Sequence, residues 1–460
     1  TGYDIDNSLK LEADNTEYLY YTPSGQTDYE RMAFSIWVKR TELGDGNLAE
    51  FGNGTANTSN LRIGFDSSDR LFCYGNSIIW RQTNQGFRDT SAWYHLFFLF
   101  DTTTPGGISN NRIRIWVNGS MIAHTDFGVI NNPGSGAAMG FNNALQHSIG
   151  AQREGGPTNY FKGYIAQAYG SGGTPPVVTD FGEYDDNGIW TPIDISELTP
   201  PDTAGFNLDF SNASSLGNDI SSRNNNFTLQ NIAAADQATD TPTNNFATLN
   251  PLNRNSASSG VTNNSIFTEG NTKITGNLNG YWQSGVANIG ITSGKWYFEA
   301  TPYDSNTKIC TIGYGDEADI ENWGKNNDFP GAAGSKSYGY TGGTTAGYGQ
   351  INPSTNLPNP AVTYNQTNII GVAIDADNGY VYWSKDGTYI NSGNPTSGAS
   401  GTGGIAIPTG AGTNGTLLPA VGFYYDGTIP AMIVNFGGYT QFTISSAASD
   451  ANGYGTFEYA

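Results

Sequence analysis

The sequence is poor in charged residues, and above all in cations. Only 13% of its 460 residues are charged, and 20 Lys and Arg stand against 41 Asp and Glu, which gives a net charge of −21. Such a surface repels phosphate backbones and anionic headgroups, so we expect no nucleic-acid partner. The longest apolar run, around residues 96–100, is far too short to span a bilayer, so no membrane insertion is expected. No signal peptide is visible, and we expect either a short leader before Thr1 or export without one.

Cysteine and the common catalytic motifs are also scarce. Cys73 and Cys310 fall in separate predicted domains, which favours two small buried thiols over a disulfide. His95, His124 and His147 are scattered and lack the spacing of a zinc site. No G-x-S-x-G elbow and no phosphate-binding loop is found. Nucleophilic hydrolysis and phosphate chemistry therefore have no support, and we predict no cofactor.

Glycine and aromatic residues are abundant, with 61 Gly, 27 Tyr, 23 Phe and 9 Trp. Many short strands joined by tight turns require this composition, so the fold class is predicted to be all-β with very little helix. The chain is too long for one hydrophobic core, which indicates two or three domains.

The clearest strand pattern lies at residues 369–390, IIGVAIDADNGYVYWSKDGTYI. Apolar and polar residues alternate there, and two hairpin signals, Asn378-Gly379 and Asp386-Gly387, predict a three-stranded antiparallel meander. Together with KWYFE, IGYG, SYGY, LLPAVGF and VNFG in this order, the segment resembles the SPRY domain over roughly residues 262–445. The resemblance implies a bent β-sandwich that binds ligands through its loops.

A second set of motifs fills the first 195 residues. FSIWVK, in which Phe34, Ile36 and Val38 share a strand face, is followed by WYH, WVNG and YFKGYI. This series resembles the laminin G-like branch of the concanavalin A-like sandwiches. Part of that family binds calcium, but Ala166 and Gln167 stand where acidic residues often follow, so Ca²⁺ remains possible without being assignable to residues.

The middle of the chain is predicted to be a β-rich connector. GFNLDFSN and NNNFTLQNI are predicted to pair as strands that pack back on the first sandwich or bridge the two, and residues 233–260 lack sustained periodicity. We therefore predict a laminin G-like domain at 1–195, a connector at 196–260 and a SPRY-like domain at 261–460. The whole arrangement, including DFGEYDDNGIWTP and DTPTNNFATLNPL, resembles predicted structural proteins of tailed bacteriophages, many of them marine. That resemblance implies a virion component.

One pattern suggests catalysis. Glu12, Asp14 and Glu17 spell E-x-D-x-x-E, the carboxylate arrangement of retaining glucanases that share the concanavalin A-like fold. The glucanase motif interleaves apolar residues, whereas Asn15 and Thr16 intervene here, and the segment aligns with the polar turn that opens laminin G-like domains. A structural role is favoured, and no catalytic residue is predicted.

Aromatic side chains outside the strand patterns are the candidate ligand contacts, because sugars stack on exposed rings. The predicted glycan-binding residues are Trp80, Trp323, Tyr348 and Tyr425. The competing interpretation is core or turn packing, which is the usual role of aromatics in all-β domains. Trp37, Trp116, Trp296 and Trp383 lie on strand patterns and are assigned to structure.

The sequence thus favours a non-enzymatic bacteriophage virion protein, a capsid decoration or tail fibre component that contacts other virion proteins and host cell-surface glycans. Such a protein is expected on the virion surface as a homo-oligomer or multicopy array, because multivalency strengthens weak sugar contacts. Three alternatives stay open: a secreted or cell-surface lectin-like adhesin, a glycan-cleaving depolymerase, and a purely architectural cement protein.

Overall fold

The structure, a computed structural model, describes residues 2–25, 30–52, 60–75, 78–105, 110–138, 140–141, 144–253, 265–326, 329–332, 334–343, 350–352, 363–408, 410–411 and 416–460, of which 321–322, 324–326 and 350–352 are described by their backbone alone. The chain divides into two compact units, Thr1–Asn245 and Phe246–Ala460. Among the described residues, no helix is long and apolar enough to cross a membrane.

The first unit is built from antiparallel strands. They are β1 (Ser8–Leu11), β2 (Tyr18–Tyr21), β3 (Arg31–Arg40), β4 (Gly46–Phe51), β5 (Leu61–Phe65), β6 (Arg70–Gly75), β7 (Ile78–Gly86), β8 (Trp93–Asp101), β9 (Ile113–Val117), β10 (Ser120–Met121), β11 (Phe127–Ile130), β12 (His147–Ile149), β13 (Gly163–Gly172), β14 (Gly182–Tyr184), β15 (Trp190–Pro192), β16 (Phe206–Leu208), β17 (Thr228–Gln230) and β18 (Gln237–Ala238). Short 3₁₀ turns lie at Ala13–Asn15, His124–Asp126, Val178–Asp180 and Ala234–Asp236.

Sixteen of these strands form two packed sheets, and β14 and β15 pair as a separate two-stranded sheet. The first sheet has the order β10-β9-β8-β3-β13-β1-β18, with β16 on β13, and the second has the order β11-β7-β6-β5-β4-β12-β2-β17. Alternate residues point between the sheets, so Phe34, Ile36 and Val38 of β3 join one core with Ile63 of β5 and Cys73 of β6. The shared face predicted for β3 is therefore present. Both Cys73 and Cys310 are buried free thiols.

The outer faces of the two sheets differ. Residues that follow β13 cross the first sheet, and Phe181 and Ile195 pack there on Phe97 and Tyr169 in a second buried cluster. Both faces of β3 are consequently buried, which explains why nearly every residue of that strand is inaccessible. On the second sheet, alternate residues of β6 remain partly exposed. This sheet therefore offers an open face.

The segment predicted as a connector is largely part of the first unit. Phe206–Leu208 (β16) pairs with β13 in the first sheet, whereas Thr228–Gln230 (β17) pairs with β2 in the second sheet. The two segments are thus not ladder partners of one another, which corrects the predicted strand pair. Each instead extends a sheet of the sandwich and buries its apolar side chains in the existing core. The division after Asn245 differs accordingly from the predicted boundaries at 195 and 260.

The second unit contains one described α-helix among its strands. The elements are β19 (Ile266–Thr268), β20 (Lys273–Thr275), β21 (Trp282–Val286), β22 (Lys295–Pro302), β23 (Cys310–Asp316), α1 (Glu317–Asn326), β24 (Tyr338–Gly342), β25 (Gln350–Asn352), β26 (Ile370–Asp375), β27 (Tyr380–Lys385), β28 (Thr388–Tyr389), β29 (Ile405–Ala406), β30 (Leu417–Tyr424) and β31 (Ala431–Asn435). Short 3₁₀ turns lie at Ile390–Ser392 and Gly398–Ser400.

Its two sheets also pack face to face. The third sheet has the order β19-β20-β31-β22-β26-β27-β28, with β29 on β27, and the fourth has the order β21-β30-β23-β24-β25. The predicted meander is present as β26, β27 and β28. At its second turn, Asp386 and Gly387 both have positive φ, as a type I′ hairpin requires.

Helix α1 lies in a stretch for which the sequence predicts neither a strand nor a helix. Ile320 and Trp323 lie one turn apart and bury the same helix face against Val286 and Ala420. Acidic residues in the first turn favour the helix N-terminus. The helix forms because this apolar pair has a sheet face to cover.

Candidate functional site

The predicted ligand-binding aromatics lie in different environments. Trp80 on β7 is 1% exposed and belongs to the first core, where Gly75 on β6 leaves room for its ring. Trp323 on α1 is also 1% exposed. These two side chains are packed inside the protein, which contradicts the exposure on which their assignment rested. Tyr425 is partly exposed, and Tyr348 lies outside the described residues.

The tryptophans assigned to structure divide in a similar way. Trp37 and Trp383 are buried, and Trp116 is partly buried against the second cluster. Trp296 lies on β22, as predicted, but is 45% exposed, because β31 pairs with β22 only from Glu299 onward. Its indole Nε1 donates to the Ser293 carbonyl at 2.7 Å.

The outer face of the second sheet carries a line of side chains, which we call the outer row, and two of its members, Ser148 and Glu50, are buried. Cross-strand pairing places its members side by side on seven neighbouring strands, from β17 to β7. The outer row consists of Thr228, Tyr20, Ser148, Glu50, Arg62, Tyr74 and Ile79. Because these residues alternate with core residues along each strand, they share the outer face.

A groove of about 240 Å³ lies beside the outer row. The Arg62 guanidinium stacks on Tyr74, with Cζ 3.9 Å from the ring centroid, and Ile79 extends the apolar wall. Asn47 and Arg62 also line the groove, and two of their buried donors, Asn47 Nδ2 and Arg62 Nε, have no hydrogen-bond partner among the described residues. The groove therefore combines a partly exposed ring with two lining side chains, Asn47 and Arg62, that each have a buried donor without a partner among the described residues.

Two charged side chains at the groove, Asp66 and Arg62, have partners in the protein. Asp66 accepts hydrogen bonds from the Arg70 backbone and side chain and from Gln82 Nε2. Burial alone would raise the pKa of Asp66, but these bonds hold it below its ordinary value. Arg62 lies 4.0 Å from Glu154. A ligand need not carry a charge to fit here.

Glu50 fixes the loop that borders the outer row. Its carboxylate accepts hydrogen bonds from the backbone N–H groups of Arg153 and Glu154, and burial raises its pKa. Arg153 is thereby held over Tyr18, with Cζ 5.1 Å from the ring centroid and Nη1 2.8 Å from the phenol oxygen. The loop and the sheet thus form one preorganised surface.

The carboxylates of the predicted glucanase-like pattern do not face the groove. Glu12 and Glu17 are buried, and they pair with Lys162 at 2.9 Å and Lys10 at 3.2 Å, respectively. Lys10 also pairs with Asp236 at 2.7 Å. Neither Glu12 nor Glu17 lines the groove. Both carboxylates join β1 and the turn after it to neighbouring segments, as a structural role requires.

The burial of Glu17 leads to a testable pH dependence. Desolvation, opposed by Lys10, raises the pKa of Glu17 from 4.5 to about 7, so the folded chain binds more protons than the unfolded chain between these values. This group's contribution to the free energy of unfolding should therefore fall as the pH rises from about 4.5 to about 7. Glu17→Gln should flatten this slope in urea titrations across that range.

The control for that experiment is Glu183→Gln, because Glu183 is exposed on β14. This variant should keep the wild-type slope. An unchanged slope in Glu17→Gln would show that folding does not raise the pKa of Glu17.

A serine–histidine contact is present but is arranged wrongly for catalysis. Ser35 Oγ lies 2.8 Å from His95 Nε2, and Trp190 Nε1 donates to His95 Nδ1 at 3.0 Å. Because Nδ1 accepts, the proton of the neutral ring is on Nε2 and faces Ser35, so His95 cannot take the serine proton there. Burial lowers the pKa of His95 to about 3. Among the described residues, no group of three or more His, Cys, Asp or Glu is placed to hold a metal ion.

The chain is an all-β protein made of two units, each built from packed antiparallel sheets. Residues 14–169 match the family described as the concanavalin A-like lectin/glucanases superfamily, which includes glucanases as well as binding modules. No curated protein sequence matches the chain.

Two solved structures are similar to parts of the chain. The SPRY domain of human HERC1 is 18% identical with a TM-score of 0.27, and the match covers 36% of this chain and 89% of that domain. The native heptameric SAP-like pentraxin from Limulus polyphemus is 14% identical with a TM-score of 0.28, and the match covers 37% of this chain and 77% of the pentraxin chain.

Sequence reasoning did not find the outer row. Its members come from seven strands, and only the pairing register makes them neighbours. The available signal was the alternation in RLFCYG, where Phe72 and Tyr74 occupy the phase opposite to the core residues Leu71 and Cys73. The exposed phase of such a strand is a better indicator of a ligand ring than an isolated loop aromatic.

Proposed function

We propose that the first unit is a non-enzymatic binding module that holds a glycan on the outer row. The observation that carries this proposal is the Arg62–Tyr74 stack beside a groove whose lining residues Asn47 and Arg62 each hold an unpaired donor. The apolar face of a pyranose ring stacks on an aromatic ring, and its hydroxyl oxygens accept hydrogen bonds from fixed donors. The match to a superfamily that contains lectins supports the same ligand class.

Tyr74 is the residue whose loss should weaken binding most. Tyr74→Ala removes the stacking ring and the support of Arg62, and we expect the affinity for a bound glycan to fall at least about tenfold, which corresponds to about 1.4 kcal/mol. Tyr74→Phe keeps the ring and should bind within about threefold of wild type. Glycan arrays identify the ligand, and calorimetric titration of that ligand measures the affinities.

The matched control is Tyr303→Ala, which removes an exposed tyrosine of the second unit that stacks with Lys273. This variant should bind glycan as the wild type does. Equal affinity of wild type and Tyr74→Ala, with both proteins folded by circular dichroism, would move the ligand site away from the outer row. Binding that Tyr303→Ala alone weakens would place it in the second unit.

A depolymerase remains the alternative from the enzyme class. The ion pairs that hold Glu12 and Glu17 away from the groove favour binding without cleavage. Incubation with a bound glycan should therefore release no reducing ends. Release that Glu17→Gln abolishes would replace the binding proposal with a hydrolytic one.

We further propose that the chain is a structural protein of a tailed-bacteriophage virion, on capsid or tail, where many copies contact other virion proteins and host cell-surface glycans. The support is the sequence resemblance over nearly the whole chain and the avidity that multiple copies give to weak sugar sites. Gold-labelled antiserum against the purified protein should decorate phage particles. Labelling of bacterial cells instead would favour an adhesin, and decorated particles without any glycan binding would favour a cement protein.

A further inference from the structure

A buried lysine in the first unit faces both a carboxylate and an amide. Lys39 on β3 has a fully buried side chain, and its Nζ lies 2.7 Å from Asp240 Oδ2 and 2.8 Å from Asn245 Oδ1. Trp93 Nε1 donates to Asp240 Oδ1 at 2.9 Å, which fixes the carboxylate. An amine, a carboxylate and an amide carbonyl are therefore in hydrogen-bond contact although Lys39 and Asn245 are 206 positions apart in the sequence.

This arrangement brings a nucleophile to an electrophile. An amine that contacts a carbonyl oxygen at hydrogen-bond distance is also close to the carbonyl carbon, and holding the two together replaces a bimolecular encounter. Burial lowers the pKa of Lys39, although Asp240 opposes the shift. The neutral, nucleophilic amine therefore forms more readily than in an exposed lysine. Asp240 is placed to accept the proton that the amine releases.

We propose that Lys39 and Asn245 are a self-modifying pair that forms an intramolecular amide bond. Lys39 Nζ adds to Asn245 Cγ, and Asp240 takes a proton from Nζ and delivers it to Nδ2. The Cγ–Nδ2 bond then breaks, one ammonia molecule leaves, and a secondary amide joins the two side chains while Asp240 returns to its starting protonation state. No oxidant, reductant or cofactor is needed.

Asn245 is a better acceptor than Asp240 for this reaction. A carboxylate is negatively charged and loses oxide with difficulty, whereas a carboxamide is neutral and loses ammonia once its nitrogen is protonated. Asn245 is exposed, and its Nδ2 donates to the Ser91 carbonyl at 2.8 Å, so the leaving nitrogen lies at the surface. Lys39, in contrast, is shielded from water, which protects the new bond.

The bond would join β3, in the middle of the first sheet, to the last residue of the first unit. A cross-link over so long a loop restricts the unfolded chain strongly, in the same way as a disulfide, but it does not respond to reductants. The described residues contain two buried free thiols and no disulfide. The amide bond would supply a covalent cross-link in place of one. This inference is independent of the proposed glycan binding.

Mass spectrometry of the denatured full chain tests the proposal. We expect a mass below that of the sequence by one ammonia, about 17 Da. After trypsin digestion, the peptides 32–40 and 224–254 should appear as one cross-linked species in which Lys39 is not cleaved. Lys39→Arg, Asn245→Ala and Asp240→Ala should each have the mass of their own sequence.

Three results would overturn it. A wild-type mass equal to that of the sequence, in a folded preparation, excludes the bond without reference to any variant. The same mass loss located at an Asn-Gly pair such as Asn118-Gly119, and retained in Lys39→Arg, identifies a succinimide instead. A loss of about 18 Da in a peptide that links Lys39 to Asp240 would show that the carboxylate is the acceptor.

Discussion

Replacement of Lys10 by methionine should lower the free energy of unfolding of the first unit by about 3–5 kcal/mol, because removal of one partner leaves buried charges uncompensated. The Lys10 side chain is fully buried, and its Nζ lies 2.7 Å from Asp236 and 3.2 Å from Glu17. Methionine fills a similar volume, so the loss reports the missing charge and not a cavity. Urea unfolding at about pH 8, where Glu17 is ionised, measures the change in the free energy of unfolding. Hydrogen exchange of the β1 amides serves as the probe of the first unit.

The matched control is Arg88→Met. Arg88 pairs with Asp69 at a comparable distance, 2.8 Å, but is 62% exposed, and Asp69 keeps Arg40 as a second partner at 3.1 Å. Solvent screening makes such an exposed pair worth less than about 1 kcal/mol. A Lys10→Met loss as small as that of Arg88→Met would mean that the buried carboxylates become neutral at little cost.

The fold could be predicted from the sequence where local chemistry determines it. Asp386-Gly387 and Asn118-Gly119 adopt the positive φ angles that their residue types favour, and each joins the strands that the alternation indicates. The face shared by Phe34, Ile36 and Val38 follows from the period of a strand in the same way. These features depend on residues a few positions apart.

Other features depend on partners that are distant in the sequence. The two segments of the predicted connector join different sheets because each finds an existing strand edge to extend. Trp80 is buried since β6 offers Gly75 opposite its ring, and Trp323 is buried since a sheet face lies below α1. No local pattern distinguishes such a ring from an exposed one.

The candidate site was missed for the same reason. The predicted ligand rings were chosen because they lie outside strand patterns, whereas the outer row lies within strands, on the phase that the core does not use. The buried charge pairs Lys10–Asp236 and Lys39–Asp240 likewise join β1 and β3 to a segment that the sequence marked only as a connector. The acidic residues of this segment find their lysine partners only in the folded protein.

Glu299→Ala should release the C-terminal segment of the second unit from the third sheet. The buried Glu299 carboxylate accepts hydrogen bonds from the Glu458 and Tyr459 backbone N–H groups, from Asn435 Nδ2 and from the Tyr297 hydroxyl, at 2.7–3.2 Å. Each buried donor left without an acceptor costs about 1–3 kcal/mol, so we expect a loss of about 3 kcal/mol or more.

The released segment should show faster hydrogen exchange at residues 456–459 and a new site of limited proteolysis, because Phe457 would lose its edge contact with the Tyr297 ring, 5.2 Å away. Tyr297→Phe removes one donor, keeps that ring and should lose less than about 1.5 kcal/mol. Slow exchange at residues 456–459 in Glu299→Ala would show that ring packing alone holds the segment. The carboxylate is the stronger clamp because it binds two successive backbone amides, whereas the ring contacts one side chain.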